Sequence, residues 1–431
     1  MRKAVVLGGY GLIGSACCRA LVAAGFAVTA VGRSRQAARQ SGLPVDWAFF
    51  DIATAGPADW AAALSGAEVV VNAAGALQDG PRDDLDGVHD RAVAALLSAL
   101  EGSPARLIQI SAAGVARDAP TEFFRSKARG DARVMASARD WVILRPTLVL
   151  APAAYGGTAL LRAAAALPLV HGRVFPDAPL QTVWIGDLAQ AVVACARGDI
   201  AAGHVYDLTE PTPRPFAATT ERMRDWLGLP PWRLRLTLPG ALVGLLGRGA
   251  DALGRLGWRS PLRSAALVSL RHGVTGDPAA WQAAGGTPCR ALDQTLALMP
   301  ATPQDRWFAR MFLLLPLAIG VLALFWAASG LIALAQPGRS ASVLTGRGMA
   351  EAPALVIALG GSVVDLALGL AILWRRWARA AALGMVAVAA AYLAGSLVWA
   401  PDLWLDPMGP MLKVLPSLPL ALIVAALMEP R

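Results

Sequence analysis

The 431-residue chain carries 56% hydrophobic and only 16% charged residues, with a formal charge of +9. Polar residues concentrate before about residue 306 and long apolar runs follow, which excludes one soluble domain and predicts a globular front with a membrane tail. Four cysteines without CxxC spacing and four separated histidines suggest no metal site, and point to reduced, structural thiols.

The chain opens MRKAVVLGG, two basic residues running straight into a short β-like segment. This predicts no signal peptide and a first domain in the cytoplasm. The apolar run turns through Gly8, Gly9, Gly11 and Gly14, then keeps helical periodicity up to Gly25, predicting strand, glycine turn, helix and strand. Glycines allow the tight turn and let the backbone approach a pyrophosphate, whose charge rests on the helix N-terminus; dinucleotide binding is expected. The second strand ends AVGRSRQ, with no carboxylate to accept ribose hydroxyls. Arg33 and Ser34 instead suit a 2′-phosphate, so NADP (NADPH) is expected over NAD. A solvated loop charge at Arg33 is the alternative in so arginine-rich a chain.

VDWAFFDI, AEVVVNAAG, ARLIQISAAGV and DWVILRPTLVLAP read as buried strands, with helical stretches such as DRAVAALLSAL between them. The expected fold is α/β, a doubly wound parallel Rossmann sheet with a small substrate-side extension, followed by a four-helix transmembrane bundle. GGYGLIG (Gly8, Gly11, Leu12, Ile13, Gly14), Asp51 after the third strand, and NAAG (Asn72, Ala73, Ala74, Gly75) come first. Ser111 ending the fifth strand, ILRP (Ile143 to Pro146) and VWIGDLAQAV around Asp187 follow. In this order the motifs resemble the short-chain dehydrogenase/reductase superfamily, in its extended or atypical branch, over roughly the first 300 residues. The resemblance implies that Asp51 faces the adenine, Asn72 to Gly75 line the cofactor, and Pro146 lies near the nicotinamide. Asp187 is expected to cap a helix.

In this superfamily a serine, a tyrosine and a lysine act together, the tyrosine transferring the proton. In TEFFRSKARG, Lys127 matches the lysine and Ser111 the serine, but Phe123 stands in the tyrosine position. Lysine is scarce here: Lys3, Lys127 and Lys413 are the only three among 39 Lys and Arg. A generic positive charge would be arginine, so Lys127 is expected to hold the cofactor ribose. Tyr155, in the loop after the sixth strand, is the candidate replacement hydroxyl; packing on the substrate side is the alternative.

Between Arg214 and Arg271 ten arginines stand against Glu221, Asp225 and Asp251. Beside a membrane domain, anionic lipid is the expected partner of that segment rather than nucleic acid. Four spans are expected, within residues 306–335, 353–374, 381–400 and 411–428. Arg375, Arg376 and Arg379 would lie in a cytoplasmic loop and PDLWLDP outside, with Arg339 and Arg347 counting against this orientation; Arg431 would return to the cytoplasm. Asp365, inside the second span, is expected to face the bundle interior, be protonated or pair with a polar partner, with Ser362 and Lys413 as candidates. A polar pocket for a lipophilic substrate's head group is the expected role, and an interhelical hydrogen bond that fixes packing the alternative. QDRWFAR and the spans behind it resemble the DoxX-like family.

The expected domains are 1–213 (nucleotide-binding), 214–305 (basic extension and linker) and 306–431 (membrane). Together these features predict a multi-pass inner-membrane, NADP-binding oxidoreductase acting on a lipophilic small molecule, with a membrane-protein partner as a further option. A catalytically silent nucleotide-binding scaffold or sensor is the alternative reading, and a small transporter or lipid-handling unit a remoter one.

Overall fold

The structure is a computed structural model that describes residues 1–76, 78, 84–258, 260 and 262–428. Arg431, expected on the cytoplasmic side, lies outside the described residues. Contacts divide the chain into two compact units, residues 1–251 with 260–309, and residues 252–259 with 310–431.

The first unit is built on seven strands: β1 (Lys3–Leu7), β2 (Ala27–Gly32), β3 (Asp46–Phe49), β4 (Val69–Asn72), β5 (Arg106–Ile110), β6 (Trp141–Pro146) and β7 (His204–Leu208). Their order is β7-β6-β5-β4-β1-β2-β3 and every pairing is parallel, which is the doubly wound sheet expected from the sequence. The central strands β1 and β4 are apolar runs, AVVL and VVV, because both faces are buried, whereas β3 is only partly buried. Ala4, Val6, Val69, Val71, Ile108, Val142 and Leu144 pack on one side with Cys17, Cys18 and Leu21 of helix Leu12–Ala23 and Leu188 and Val192 of helix Ile185–Arg197. Val5, Leu7, Val70, Leu107 and Ile143 pack on the other with Trp60, Val93, Leu96 and Val134. Strand direction and this alternation bring the carboxyl ends of β1, β4, β5 and β6 to one edge, where such sheets bind ligands.

The extension that follows the sheet's sixth strand has its own small core, in which Leu150 and Leu161 meet Met223, Leu227, Leu292, Leu296 and Met299. Asp187 lies in the first turn of its helix but does not cap it, contrary to expectation. Its carboxylate accepts from Arg290 N at 2.8 Å and pairs with the Arg290 guanidinium, tying the extension to the sheet layer.

Among the described residues four helical segments are long and apolar enough to cross a membrane: Pro303–Ala335, which enters the second unit at Arg310, and Glu351–Ala371, Ala378–Trp399 and Pro410–Leu427 within it. The last is interrupted, as Pro416 and Pro419 foretell, into Pro410–Val414 and Ser417–Leu427. Small residues let the first two helices approach closely. A Cβ on Gly330 would stand 2.6 Å from Leu366 N, and one on Gly369 2.9 Å from Ala327 Cα. The connection between them contains a further short helix, Pro337–Thr345. Arg347, which weighs against the expected orientation, is bonded to Asp402 of the PDLWLDP loop, Nε to Oδ1 at 2.9 Å.

Asp365 accepts a hydrogen bond from Tyr392 Oη at 2.9 Å, across to the third helix. Gly361, one turn earlier, leaves room for that hydroxyl: a Cβ there would stand 2.8 Å from it. The expected neighbour Ser362 instead donates to Ala358 O of its own helix at 2.6 Å.

Candidate functional site

After β1 the chain makes a glycine turn that leaves the N-terminus of helix Leu12–Ala23 open. Gly8 has φ +74°, Gly8 N and Gly9 N donate to Val31 O, both at 3.0 Å, and Gly11 N returns to Gly8 O at 2.9 Å. A Cβ on Gly14 would collide with Gly8 O, and one on Gly8 would stand 2.8 Å from Ala74 Cα. Leu12 and Ile13 open the helix half-buried, and no acidic residue occupies its first turn. This narrow cradle, free of side chains and negative charge, fits a pyrophosphate.

The same close approach puts Asn72 to Gly75 beside the turn. Asn72 is buried at the end of β4, donates to Gln109 Oε1 at 2.8 Å and accepts from Ala74 N at 3.3 Å. It therefore clamps β4 to β5 and shapes the loop. Ala73 N donates to Leu7 O at 3.2 Å.

At the tips of β2 and β3, Arg33 Nη1 lies 3.4 Å from Asp51 Oδ2, with both side chains partly exposed. Tyr10 Oη accepts from Arg33 N at 3.0 Å and its ring stacks on Trp47. Ser34 Oγ accepts from Ala37 N at 3.2 Å, capping the next helix. Arg33 thus has a carboxylate partner that a 2′-phosphate would compete with, and Ser34 already has a structural task.

Helix Glu122–Ala136 carries Lys127, and Ser111 follows the end of β5. Lys127 is 7% exposed and donates to Ile110 O at 3.1 Å; a Cβ on Gly75 would stand 3.9 Å from its Nζ. Burial pulls its pKa down to about 8, against the opposing charge of Asp131. The Phe123 ring lies 5.8 Å from the ammonium, so the missing phenol is replaced by an apolar face. Ser111 Oγ donates to Asp131 Oδ2 at 2.7 Å, and Arg145 Nη2 reaches the same oxygen at 2.9 Å. The Ser111 proton is therefore committed to a buried carboxylate. Pro146 ends β6 buried, its carbonyl accepting from Ala113 N at 2.9 Å. Tyr155 stands in its loop 56% exposed.

Asp131, Arg145 and His89 escape a sequence reading of the site. Asp131 follows Lys127 by one helical turn, a spacing that could have suggested it. His89 sits in a π-helical turn, Gly87–Arg91, and Gly130 of the Lys127 helix has no Cβ to strike its carbonyl. His89 Nε2 accepts from Ala76 N at 3.2 Å, which leaves Nδ1 to donate to Ser126 Oγ at 2.9 Å. Burial, then Lys127 and Arg129, push its pKa down to about 2, so the ring is neutral and holds Ala76 next to Gly75.

Residues 8–168 match an NAD(P)H-binding family and residues 323–422 the DoxX-like family. Comparison with curated proteins gives no match. Among solved structures, the Bordetella bronchiseptica enzyme WbmH in complex with NAD+ is 16% identical, covering 70% of this chain and 97% of that one with a TM-score of 0.52. A short-chain dehydrogenase/reductase superfamily protein from Agrobacterium tumefaciens with bound NAD is 16% identical over 71% and 98%, TM-score 0.51. An NADPH-dependent quinone oxidoreductase from Escherichia coli complexed with NADPH is 15% identical over 69% and 99%, TM-score 0.51. At such identities the likeness is one of fold. With glycine cradle, strand order and family matches in agreement, the chain is an NAD(P)-binding Rossmann domain with short-chain dehydrogenase/reductase-like structural neighbours, joined to a C-terminal DoxX-like domain.

Proposed function

We propose that the protein is a membrane-anchored, NADP-binding oxidoreductase of the atypical short-chain type, acting on a lipophilic substrate that reaches it from the bilayer. The observation that carries this reading is Lys127, a buried cation kept beside Gly75 although burial disfavours its charge. NADPH, when bound, supplies hydride. The glycine turn and helix N-terminus hold the pyrophosphate. Arg33 exchanges Asp51 for the 2′-phosphate, Asp51 borders the adenine, and Asn72 to Gly75 with Pro146 border the rest. Lys127 turns the protons not given to Ile110 O toward the ribose hydroxyls. Tyr155 is the proposed proton donor: of the tyrosines in this unit it is the exposed one, Tyr206 being buried and Tyr10 bonded to Arg33 N.

Arg375 and Arg376 between the second and third spans, with Arg379 in the first turn of the third, support an inner-membrane protein with its nucleotide domain in the cytoplasm. Arg347 pairs with Asp402, but the rule counts Lys and Arg rather than net charge, so Arg339 and Arg347 still weigh against this orientation.

A second reading, a silent NAD(P)H-binding scaffold, is favoured by the commitment of Ser111 to Asp131 together with Phe123. Purification in mild detergent, with mass spectrometry of co-purifying small molecules and an NADPH-oxidation assay on any lipophile found, tests both. Bound nucleotide and lipophile with no oxidation in the presence of NADPH selects the scaffold.

A further inference from the structure

Helix Gly240–Arg255 has two apolar faces, and only one is used inside the protein. Val243, Gly247 and Ala250 are buried at helical spacing, and a Cβ on Gly247 would stand 3.0 Å from both Leu267 Cδ1 and Ser264 Oγ. Leu242, Leu245, Leu246 and Leu253 form a second stripe that is 41%, 65%, 45% and 43% exposed. Their spacing of three, four and seven residues puts them on one side. Strand Leu234–Thr237, just before the helix, adds Leu234 and Leu236, exposed at 50% and 47%, while Arg235 between them turns away to pair with Glu221.

Clustered, exposed leucines mark a contact surface rather than scattered surface residues. The flanking charge says which. Arg248 and Arg255 lie beside the leucine stripe, exposed, and among the described residues neither has a carboxylate partner. Basic residues bordering an apolar helix face fit acidic head groups with leucines below them. The chain also carries its own bilayer attachment, since the first membrane-crossing helix begins at Pro303.

We propose that helix Gly240–Arg255 and the strand before it form an in-plane membrane-binding element, inserting Leu242, Leu245 and Leu246 among the acyl chains of an anionic leaflet with Arg248 at the phosphates. This rests on the membrane-anchored reading but not on turnover. It makes the bilayer surface one wall of the first unit's surroundings and places a lipophilic substrate's source against it.

The four native cysteines are buried, and burial pushes the Cys18, Cys195 and Cys289 thiols up to about 12 and Cys17 higher still. A single introduced cysteine can therefore be labelled selectively in the full chain. Bimane is attached to Leu245→Cys, Leu242→Cys, Met135→Cys on the Lys127 helix, or Leu324→Cys in the first spanning helix, and each is reconstituted into nanodiscs of phosphatidylglycerol and phosphatidylcholine. The expected result is loss of emission at 242 and 245 when the lipids carry bromine, none at 135, and smaller loss at 245 in pure phosphatidylcholine or with Arg248→Glu. Emission at 245 matching that at 135 overturns the proposal, as does protection at 245 that grows with protein concentration in detergent, which assigns the face to a second copy. Equal quenching in both lipids overturns the head-group contact. The 324 label separates these failures from failure of the membrane reading itself, because it is quenched wherever the tail spans.

Discussion

Replacing Lys127 by Met removes the ammonium while keeping an unbranched side chain of similar length. Burial holds this lysine at about 8 against an ordinary 10.5, a difference worth about 3 kcal/mol that the fold forgoes at pH 7 to keep the charge. Against that relief, Ile110 O loses the donor 3.1 Å away. An unsatisfied buried carbonyl costs about 1–3 kcal/mol, so the melting temperature is expected to stay level or rise. NADPH affinity is expected to fall roughly 10- to 100-fold, the worth of a charge-assisted hydrogen bond of about 1.5–3 kcal/mol. Thermal unfolding of the detergent-purified full chain, with and without NADPH, reads both quantities. The same group sets a pH dependence. Between about 8 and 10.5 the unfolded chain holds more protons at this lysine than the folded one, so stability due to Lys127 rises with pH across that window. NADPH affinity falls over the same range as the ammonium deprotonates, and Lys127→Met should abolish both trends. A lower melting temperature with unchanged NADPH affinity would show the lysine to be structural and refute the reasoning.

Arg33→Asp places a carboxylate beside Asp51 and is expected to reverse an NADPH preference of about 10- to 100-fold, measured by parallel NADPH and NADH titrations; equal affinities in the unmodified chain would remove the basis for it. Phe123→Tyr sets a phenol near Lys127 and is expected to raise carbonyl reduction about 10²- to 10⁴-fold on generic substrates. Normal NADPH binding with no gain in rate would favour the scaffold. In the membrane unit, Tyr392→Phe strips Asp365 of its 2.9 Å donor and should lower the detergent melting temperature by the equivalent of about 1–2 kcal/mol, with Tyr392→Phe/Asp365→Asn recovering part of the loss. An unchanged melting temperature in the single variant would mean that the bond does not hold the two helices together.

The sheet was readable because strands buried on both faces leave uninterrupted apolar runs, and the glycine turn because only glycines fit where Gly8 meets Ala74. The spanning helices were readable from length and apolarity alone. What the chain hides is pairing between distant groups. Nothing near Ser111 reveals that its proton goes to Asp131, and Asp187 finds Arg290 across the extension. Ser34 suits a phosphate by type, yet serine is equally an N-cap residue, and its oxygen caps helix Arg35–Ser41. Asp365 was placed correctly within its helix, but its partner depends on how the third helix is turned, which a one-helix pattern does not contain.

Residues 252–259 belong with the membrane helices, Trp258 Nε1 donating to Leu373 O at 2.6 Å and Arg375 N to Leu256 O at 3.0 Å, while residues 260–309 return to complete the nucleotide-binding unit. On the ribosome this imposes an order. Trp281 packs into the core of the first strands, and Leu292 and Met299 into the small core around Leu150 and Leu161, so both cores are completed only when about 300 residues have been made, roughly 15 to 60 s into synthesis. The segment carrying Leu256 and Trp258 emerges before its partners around Leu373 exist. During that interval its apolar side chains need cover from a chaperone or the membrane surface, so delivery of the ribosome to the bilayer before residue 310 is translated would favour correct assembly.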